Sequence, residues 1–164
     1  MNQVIVQSSG GITLVGGGPV SPRLFRKTLE LAPVVVAADS GADRCMRLGV
    51  MPDAVIGDMD SISDAARKWV GDARLHRIAE QETTDFAKAL RSVAAGFVLG
   101  LGFVGARADH ELAAFNTLVQ SDAACILLGP RDVVFHMPQR FHIALRRGDR
   151  FSLFVRDRGK GFDL

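Results

Sequence analysis

The sequence predicts an α/β protein: an open, mostly parallel sheet with flanking helices, followed by the beginning of a small all-β unit. Three observations carry this. Short apolar runs rich in Val, Ile and Leu recur along the chain, segments of helical spacing lie between them, and clusters of polar residues follow the ends of the runs.

The runs are Ile12–Val15, Val34–Ala38, Ala54–Ile56, Arg74–Ile78, Phe97–Phe103 and Cys125–Leu128. Their lengths suit strands buried on both faces, which read as continuous rather than alternating apolar stretches. Between the first two, Ser21 precedes Pro22, and Leu24, Phe25, Thr28 and Leu29 follow at helical spacing, as expected of a capped helix with proline in its first turn. Later, Phe86, Ala89, Leu90 and Val93 define a second apolar helix face. Alternation of strand and helix with short connections implies parallel strands joined by right-handed crossovers. After Gly129 the pattern changes. Val133–Phe135, Phe141–Leu145 and Phe151–Val155 read as short strands with only Pro138 and an Arg147-Gly148-Asp149 turn between them. Residues 1–130 are therefore expected to form the α/β unit and 131–164 a β-rich segment.

A chain of 164 residues has room for one domain with a substantial core, and 48% hydrophobic with 23% charged residues excludes disordered and fibrous classes. The net charge of +2 gives no electrostatic footprint for nucleic acid. The basic run Arg146, Arg147, Arg150, Arg156, Arg158 and Lys160 lacks interleaved aromatics for stacking bases and reads as a solvated face. Cys45 and Cys125 lack metal-ligand spacing and are expected to be reduced, partly buried thiols, which points to a cytoplasmic protein. No long uncharged apolar stretch suggests a membrane span or a secretion signal.

The carboxyl ends of the runs carry the chemistry. The first is followed by Gly16-Gly17-Gly18, the second by Asp39-Ser40-Gly41, and the third by Gly57-Asp58-Met59-Asp60-Ser61. The fourth and fifth lead to Glu80-Gln81-Glu82-Thr83-Thr84-Asp85 and Gly105-Ala106-Arg107-Ala108-Asp109-His110. Open α/β sheets bind ligands in the crevice outside these strand ends. Asp58 and Asp60 are the sharpest signal. Two carboxylates about 5 Å apart repel by roughly 3 kcal/mol at an effective dielectric near 20, so a divalent cation is expected between them. Hard oxygen ligands favour Mg²⁺ shared with phosphate oxygens. If Asp60 only capped a helix from Ser61 or Ser63, Asp58 would be left unexplained.

The other candidates have two readings each. The glycine loop either brings backbone N–H groups to a phosphate or forms a tight turn. Asp39 either belongs to the rim or caps a helix over Ala42–Leu48, which Gly49 ends. Thr83 or Thr84 caps the helix of Phe86. Asp85 and Lys88, three residues apart, either look into the crevice together or pair on a wet helix face. Arg107 suits phosphate, Asp109 can cap the next helix, and His110 can donate or titrate. Asn116, two turns after Asp109, returns to its face and either buttresses the loop or packs between helices. His76, His136 and His142 stand alone and are assigned structural roles, and Trp69 and Phe103 are expected to pack.

With Gly16–Pro19, Asp39–Ala42, Gly57–Ser61, Gln81–Asp85 and Arg107–His110 in this order, the sequence resembles the thiamine pyrophosphokinase family across roughly residues 12 to 155. The resemblance implies transfer of a pyrophosphoryl group from ATP to the hydroxyl of thiamine, releasing AMP, with Mg²⁺ and a homodimer. It implies that Asp39, Asp58, Asp60 and Asp85 hold the metal. Asp58, Asp60 and Asp85 are the expected catalytic residues, with Asp85 taking the hydroxyl proton. The nucleotide falls to Gly16, Gly17, Gly18, Ser61, Lys88, Arg107, Asp109 and His110, and thiamine to Gln81, Thr84 and Asp85. Glu82 stands where the family usually has aspartate. The family also continues into a β-sandwich domain with a Gly-Leu-x-Trp-like element, whereas Trp69 is the one tryptophan here, so 131–164 is expected to be part of such a domain. The same acidic rim would serve a pyrophosphokinase acting on another alcohol, such as a hydroxymethylpterin. A non-catalytic nucleotide-binding module and a metal-dependent phosphoesterase are further alternatives.

Overall fold

The computed structural model describes residues 3–154. The end of the expected strand at Phe151–Val155 and the basic residues Arg156, Arg158 and Lys160 lie outside the described residues.

The chain runs β1 (Val6–Gln7), β2 (Gly11–Val15), α1 (Pro22–Leu31), β3 (Val34–Ala38), α2 (Gly41–Leu48), β4 (Ala54–Gly57), α3 (Asp64–Val70) and β5 (Leu75–Arg77). It continues through α4 (Asp85–Arg91), β6 (Val93–Ala94), β7 (Phe97–Leu101), α5 (Ala108–Gln120), β8 (Cys125–Leu128) and β9 (Val133–Phe135). Strands β5-β4-β3-β2-β7-β8-β9 form one sheet in that order, parallel throughout except for the antiparallel β9, and β1 pairs with β6 apart from it. From β2 the chain first builds outward through β3, β4 and β5, then returns to add β7 and β8 on the other side. The topological switch therefore falls between β2 and β7, where the following loops part to opposite faces.

Both faces of the sheet are covered, as the apolar runs require. Phe86, Leu90, Ala114 and Leu118 from α4 and α5 pack on Ile12, Leu14, Val36 and Ile56. Phe25, Cys45, Ala66 and Val70 from α1 to α3 pack on Val15, Val35, Ala37 and Val55. Trp69 joins this second layer and Phe103 packs at a tilt against Phe86 with ring centroids 4.4 Å apart, so both pack as expected. Ser21 caps α1 through the Leu24 amide, and Pro22 occupies the first turn. Both cysteines are buried free thiols, and burial pushes each to about 12.

Two expectations are corrected. Val93 does not extend the α4 face: α4 ends at Arg91, Ser92 turns the chain with its hydroxyl on the Lys88 carbonyl, and Val93 pairs with Val6. The antiparallel β9 forms as expected, but Phe141–Leu145 and residues 151–154 form no strand. Strands exist where a neighbour satisfies their backbone groups, and among the described residues no strand lies beside them. Phe141, Ile143, Leu145, Phe151 and Leu153 consequently stand exposed.

Candidate active site

Asp39 follows β3, Asp58 and Asp60 follow β4, and Asp85 opens α4, which packs against β3 and β4. One carboxylate oxygen from each of Asp39, Asp58 and Asp60 lies within 4.8 Å of the others. The backbone is bent to achieve this. Asp39 (φ 42°) and Met59 (φ 69°) both take left-handed conformations that non-glycine residues rarely adopt. Such strain persists where surrounding contacts enforce it, and it concentrates at functional sites. At Met59 the chain turns so that the Asp60 amide comes back to Asp58 Oδ1 at 3.3 Å.

Asp39 is 1% exposed. Its Oδ2 accepts from the Ser61 amide at 3.1 Å, while its Oδ1 is buried without a hydrogen-bond partner. Burial, reinforced by the charges of Asp85 and Asp58, pushes its carboxyl up to about 6 against the Ser61 hydrogen bond. The capping alternatives for both aspartates therefore fall. Helix α2 begins with the Asp39 backbone carbonyl accepting from Ala42, and no side chain caps it. Helix α3 is capped by Ser63 through the Ala66 amide, and Asp60 instead accepts from the Ser61 hydroxyl at 2.8 Å.

Lys88 and Asp85 pair toward the acidic residues, with the lysine dry and the aspartate half-buried. Lys88 is 1% exposed, and its Nζ donates to Asp58 Oδ2 at 2.8 Å and to Asp85 Oδ1 at 3.3 Å. Its ammonium holds the Asp58 carboxyl below the usual range, while burial raises that of Asp85. Gln81 also donates to Asp58 Oδ2, at 3.3 Å. Thr84 is the cap of α4, accepting from Ala87 at 3.2 Å.

Around these residues lies a frame that reading along the chain misses. Arg67 donates to the Met59 carbonyl at 2.8 Å, and Asp43 accepts from both the amide and the hydroxyl of Ser63, so the 58–63 loop is gripped from α2 and α3. Glu80 accepts from Thr83 and from Arg91, clipping the 80–84 loop to the far end of α4. No local spacing signals the Asp43–Ser63 and Glu80–Arg91 partners, because these elements meet only in the folded chain.

The glycine loop is a close backbone contact. The amides of Gly16 and Gly18 donate to the carbonyls of Leu101 and Gly102 at 2.7 and 2.9 Å, and a Cβ on Gly18 would lie 2.6 Å from the Gly102 oxygen. Arg44 holds the Gly17 carbonyl at 2.9 Å. Beside this loop, on the α1 side, an apolar cavity of about 280 Å³ is lined by Val20, Leu24, Leu101 and Leu128.

Arg107, Asp109 and His110 sit together at the exposed start of α5. Asp109 lies inside the helix rather than capping it, because Arg107 occupies the cap position and takes the Asp109 carboxylate at 2.6 Å. Glu111 instead accepts the loop amides of Gly105 and Ala106. Asn116 accepts from Gln120 one turn on, at 3.4 Å.

The residues present fit a divalent cation. Three oxygen donors of the hard type converge, and a buried carboxylate oxygen that lacks any hydrogen-bond donor is one that a metal ion satisfies. Fold and site together define an α/β protein with a cluster of carboxylates at the mouth of a parallel sheet. A model of the thiamin pyrophosphokinase catalytic domain matches residues 25–128, and the chain belongs to that family. It is 27% identical over 146 residues to thiamine pyrophosphokinase 1 of Oryza sativa subsp. japonica, covering 72% of this chain and 55% of that protein. The chain thus spans about half the length of the curated relatives it matches. A thiamine pyrophosphokinase structure from Bacillus subtilis is 27% identical, with a TM-score of 0.57 over 72% of this chain and 60% of that one. The thiamin pyrophosphokinase of Candida albicans shares the fold at 16% identity, with a TM-score of 0.65 over 82% and 64%. No helix among the described residues is long and apolar enough to cross a membrane.

Proposed function

We propose that this protein is a thiamine pyrophosphokinase, transferring the pyrophosphoryl group of ATP to the hydroxyl of thiamine to give thiamine diphosphate and AMP. The observation that carries the reading is the convergence of Asp39, Asp58 and Asp60, one of them with a buried, unpartnered carboxylate oxygen, in a chain of this family. Asp39, Asp58 and Asp60 would hold Mg²⁺, with Asp85 beside them. The ion, when bound, neutralises and orients phosphate oxygens.

The remaining work falls to the chain's own groups. Phosphoryl-type transfer needs positioning and charge neutralisation more than covalent chemistry. In this reading Arg107, exposed at the start of α5 with Asp109 and His110 beside it, meets the polyphosphate, and it must exchange its Asp109 partner to do so. Ser61 and the Gly16–Gly18 loop border the same strand-end crevice. Gln81 and Thr84 flank Asp85, which accepts the proton of the thiamine hydroxyl; burial raises its basicity above that of an ordinary carboxylate. Residues 131–164 belong, in this reading, to a β-rich thiamine-binding unit completed in a homodimer, and the protein is cytoplasmic. The exposed, alternating Phe141, Ile143 and Leu145 support a surface that another strand covers.

The test is incubation of the protein with ATP, Mg²⁺ and thiamine, followed by chromatography for thiamine diphosphate and AMP. A hydroxymethylpterin in place of thiamine separates the nearest alternative. AMP release with the pterin but not with thiamine would reassign the acceptor, and none with either would leave a nucleotide-binding module.

A further inference from the structure

Lys88 is the least expected feature of the site. Burying an ammonium is costly unless carboxylates compensate it, and this one has two, from different elements: Asp58 after β4 and Asp85 in its own helix. It is as thoroughly buried as Phe86, Ala89 and Leu90 of the same helix. A residue held this way has little freedom to reach out to a ligand.

The hydrogen bonds divide the Asp58 carboxylate. Oδ2 receives Lys88 and Gln81, whereas Oδ1 receives only the long contact from the Asp60 amide. On Asp39, Oδ2 is taken by Ser61 and Oδ1 is unpartnered. The lysine thus engages Oδ2 of Asp58 together with Asp85, and leaves Oδ1 free of both Lys88 and Gln81.

We infer that Lys88 is a fixed counter-cation of the acidic site, a positioning residue that holds Asp58 and Asp85 in place. It keeps the cluster folded without a metal and restricts it to a single divalent ion. The inference rests on the reading of Asp39, Asp58 and Asp60 as a cation site. It assigns Lys88 to the protein's own carboxylates rather than to the phosphates of the nucleotide. Four carboxylates would otherwise repel across a few ångströms, and a second divalent ion would be drawn to the Asp58–Asp85 side.

The experiment uses the full chain without nucleotide and Mn²⁺ alone as the probe, counted by EPR, alongside thermal unfolding of the metal-free protein. Wild type is expected to bind one ion per chain; if it binds none, the cation-site reading itself has failed, visibly and before any variant is made. Lys88→Met is expected to lower the metal-free Tm by about 10 °C. Mn²⁺ should recover most of that loss, bind about tenfold tighter and bind at a second position. Adding Asp85→Asn to Lys88→Met, which removes one negative charge with the positive one, is expected to regain at least half of the lost Tm and to return the count to one. The double variant keeps the test decisive if the single one does not fold. A metal-free Tm and Mn²⁺ count unchanged by Lys88→Met would overturn the inference, as would a double variant less stable than the single one.

Discussion

Asp39 and Gly57 face each other across the ends of adjacent strands so closely that a Cβ on Gly57 would lie 2.9 Å from Asp39 Cβ, and 3.1 Å from Asp85 Oδ1. Glycine here is a spacer of zero width that lets two acids from different elements approach a third. Gly57→Ala forces a methyl group into that gap, an overpacking that costs about 1–3 kcal/mol in a well-packed site. Because the atoms that must give way belong to Asp39 and Asp85, the loss should appear in ion binding as well. Mn²⁺ affinity is expected to fall about tenfold or more, measured by EPR titration beside thermal unfolding. Wild-type values for both would show that the gap is not tight.

Asp39 carries a conflict between stability and function. Its buried, unpartnered oxygen destabilises the metal-free fold, which is why burial drives its carboxyl up to about 6. Asp39→Asn removes the charge while keeping the shape, and its amide finds acceptors in Asp58 and Asp60. The metal-free protein is expected to gain about 1–3 kcal/mol at pH 7, read by urea denaturation, and to lose Mn²⁺ binding. A variant that is less stable without metal would mean that Asp39 is satisfied by something other than an ion.

Asp58→Asn keeps an acceptor for Lys88 and removes the charge offered to the cation. Formation of thiamine diphosphate is expected to fall by more than about a hundredfold, with the circular dichroism spectrum retained. An unaffected rate would remove Asp58 from the chemistry.

How much of this was legible along the chain follows from which forces are local. Val34–Ala38 and Cys125–Leu128 read as strands because a strand buried on both faces has no polar interruptions, and Asp39, Asp58 and Asp60 read as rim residues because they follow such runs directly. The three-residue spacing of Asp85 and Lys88 put both on one face, but not the dryness of that face: the burial of Lys88 comes from β3, β4 and α5 closing over α4. The glycine loop was ambiguous for a similar reason, since Gly16 and Gly18 answer to the Leu101 and Gly102 carbonyls, which are distant in sequence. Asp109 misled because a residue next to a helix start is judged as a cap before its competitor, here Arg107, is known. Phe141, Ile143 and Leu145 alternate as a strand should, but alternation supplies a face and not the neighbouring strand that a ladder needs.

The Glu80–Arg91 clip gives a pH prediction whose sign is set by its partners. Glu80 accepts from the Thr83 amide and hydroxyl and from Arg91 at 2.8 Å, and these donors hold its carboxyl at about 2, well below its ordinary value of 4.5. A carboxyl whose folded pKa is depressed binds fewer protons folded than unfolded, so its stabilising effect is complete above pH 4.5 and fades as pH falls toward 2. A double-mutant cycle of Glu80→Gln and Arg91→Met should therefore give a favourable coupling at pH 7 that shrinks steadily through this window. Because the clip shapes the 80–84 loop that carries Gln81 and Thr84, both single variants are expected to raise the KM for thiamine more than they lower kcat. Half-exposed ion pairs contribute modestly, so the kinetic split is the more sensitive readout. A coupling that stays constant from pH 7 down to pH 3, or a loss confined to kcat, would show that the clip neither titrates through Glu80 nor shapes the loop.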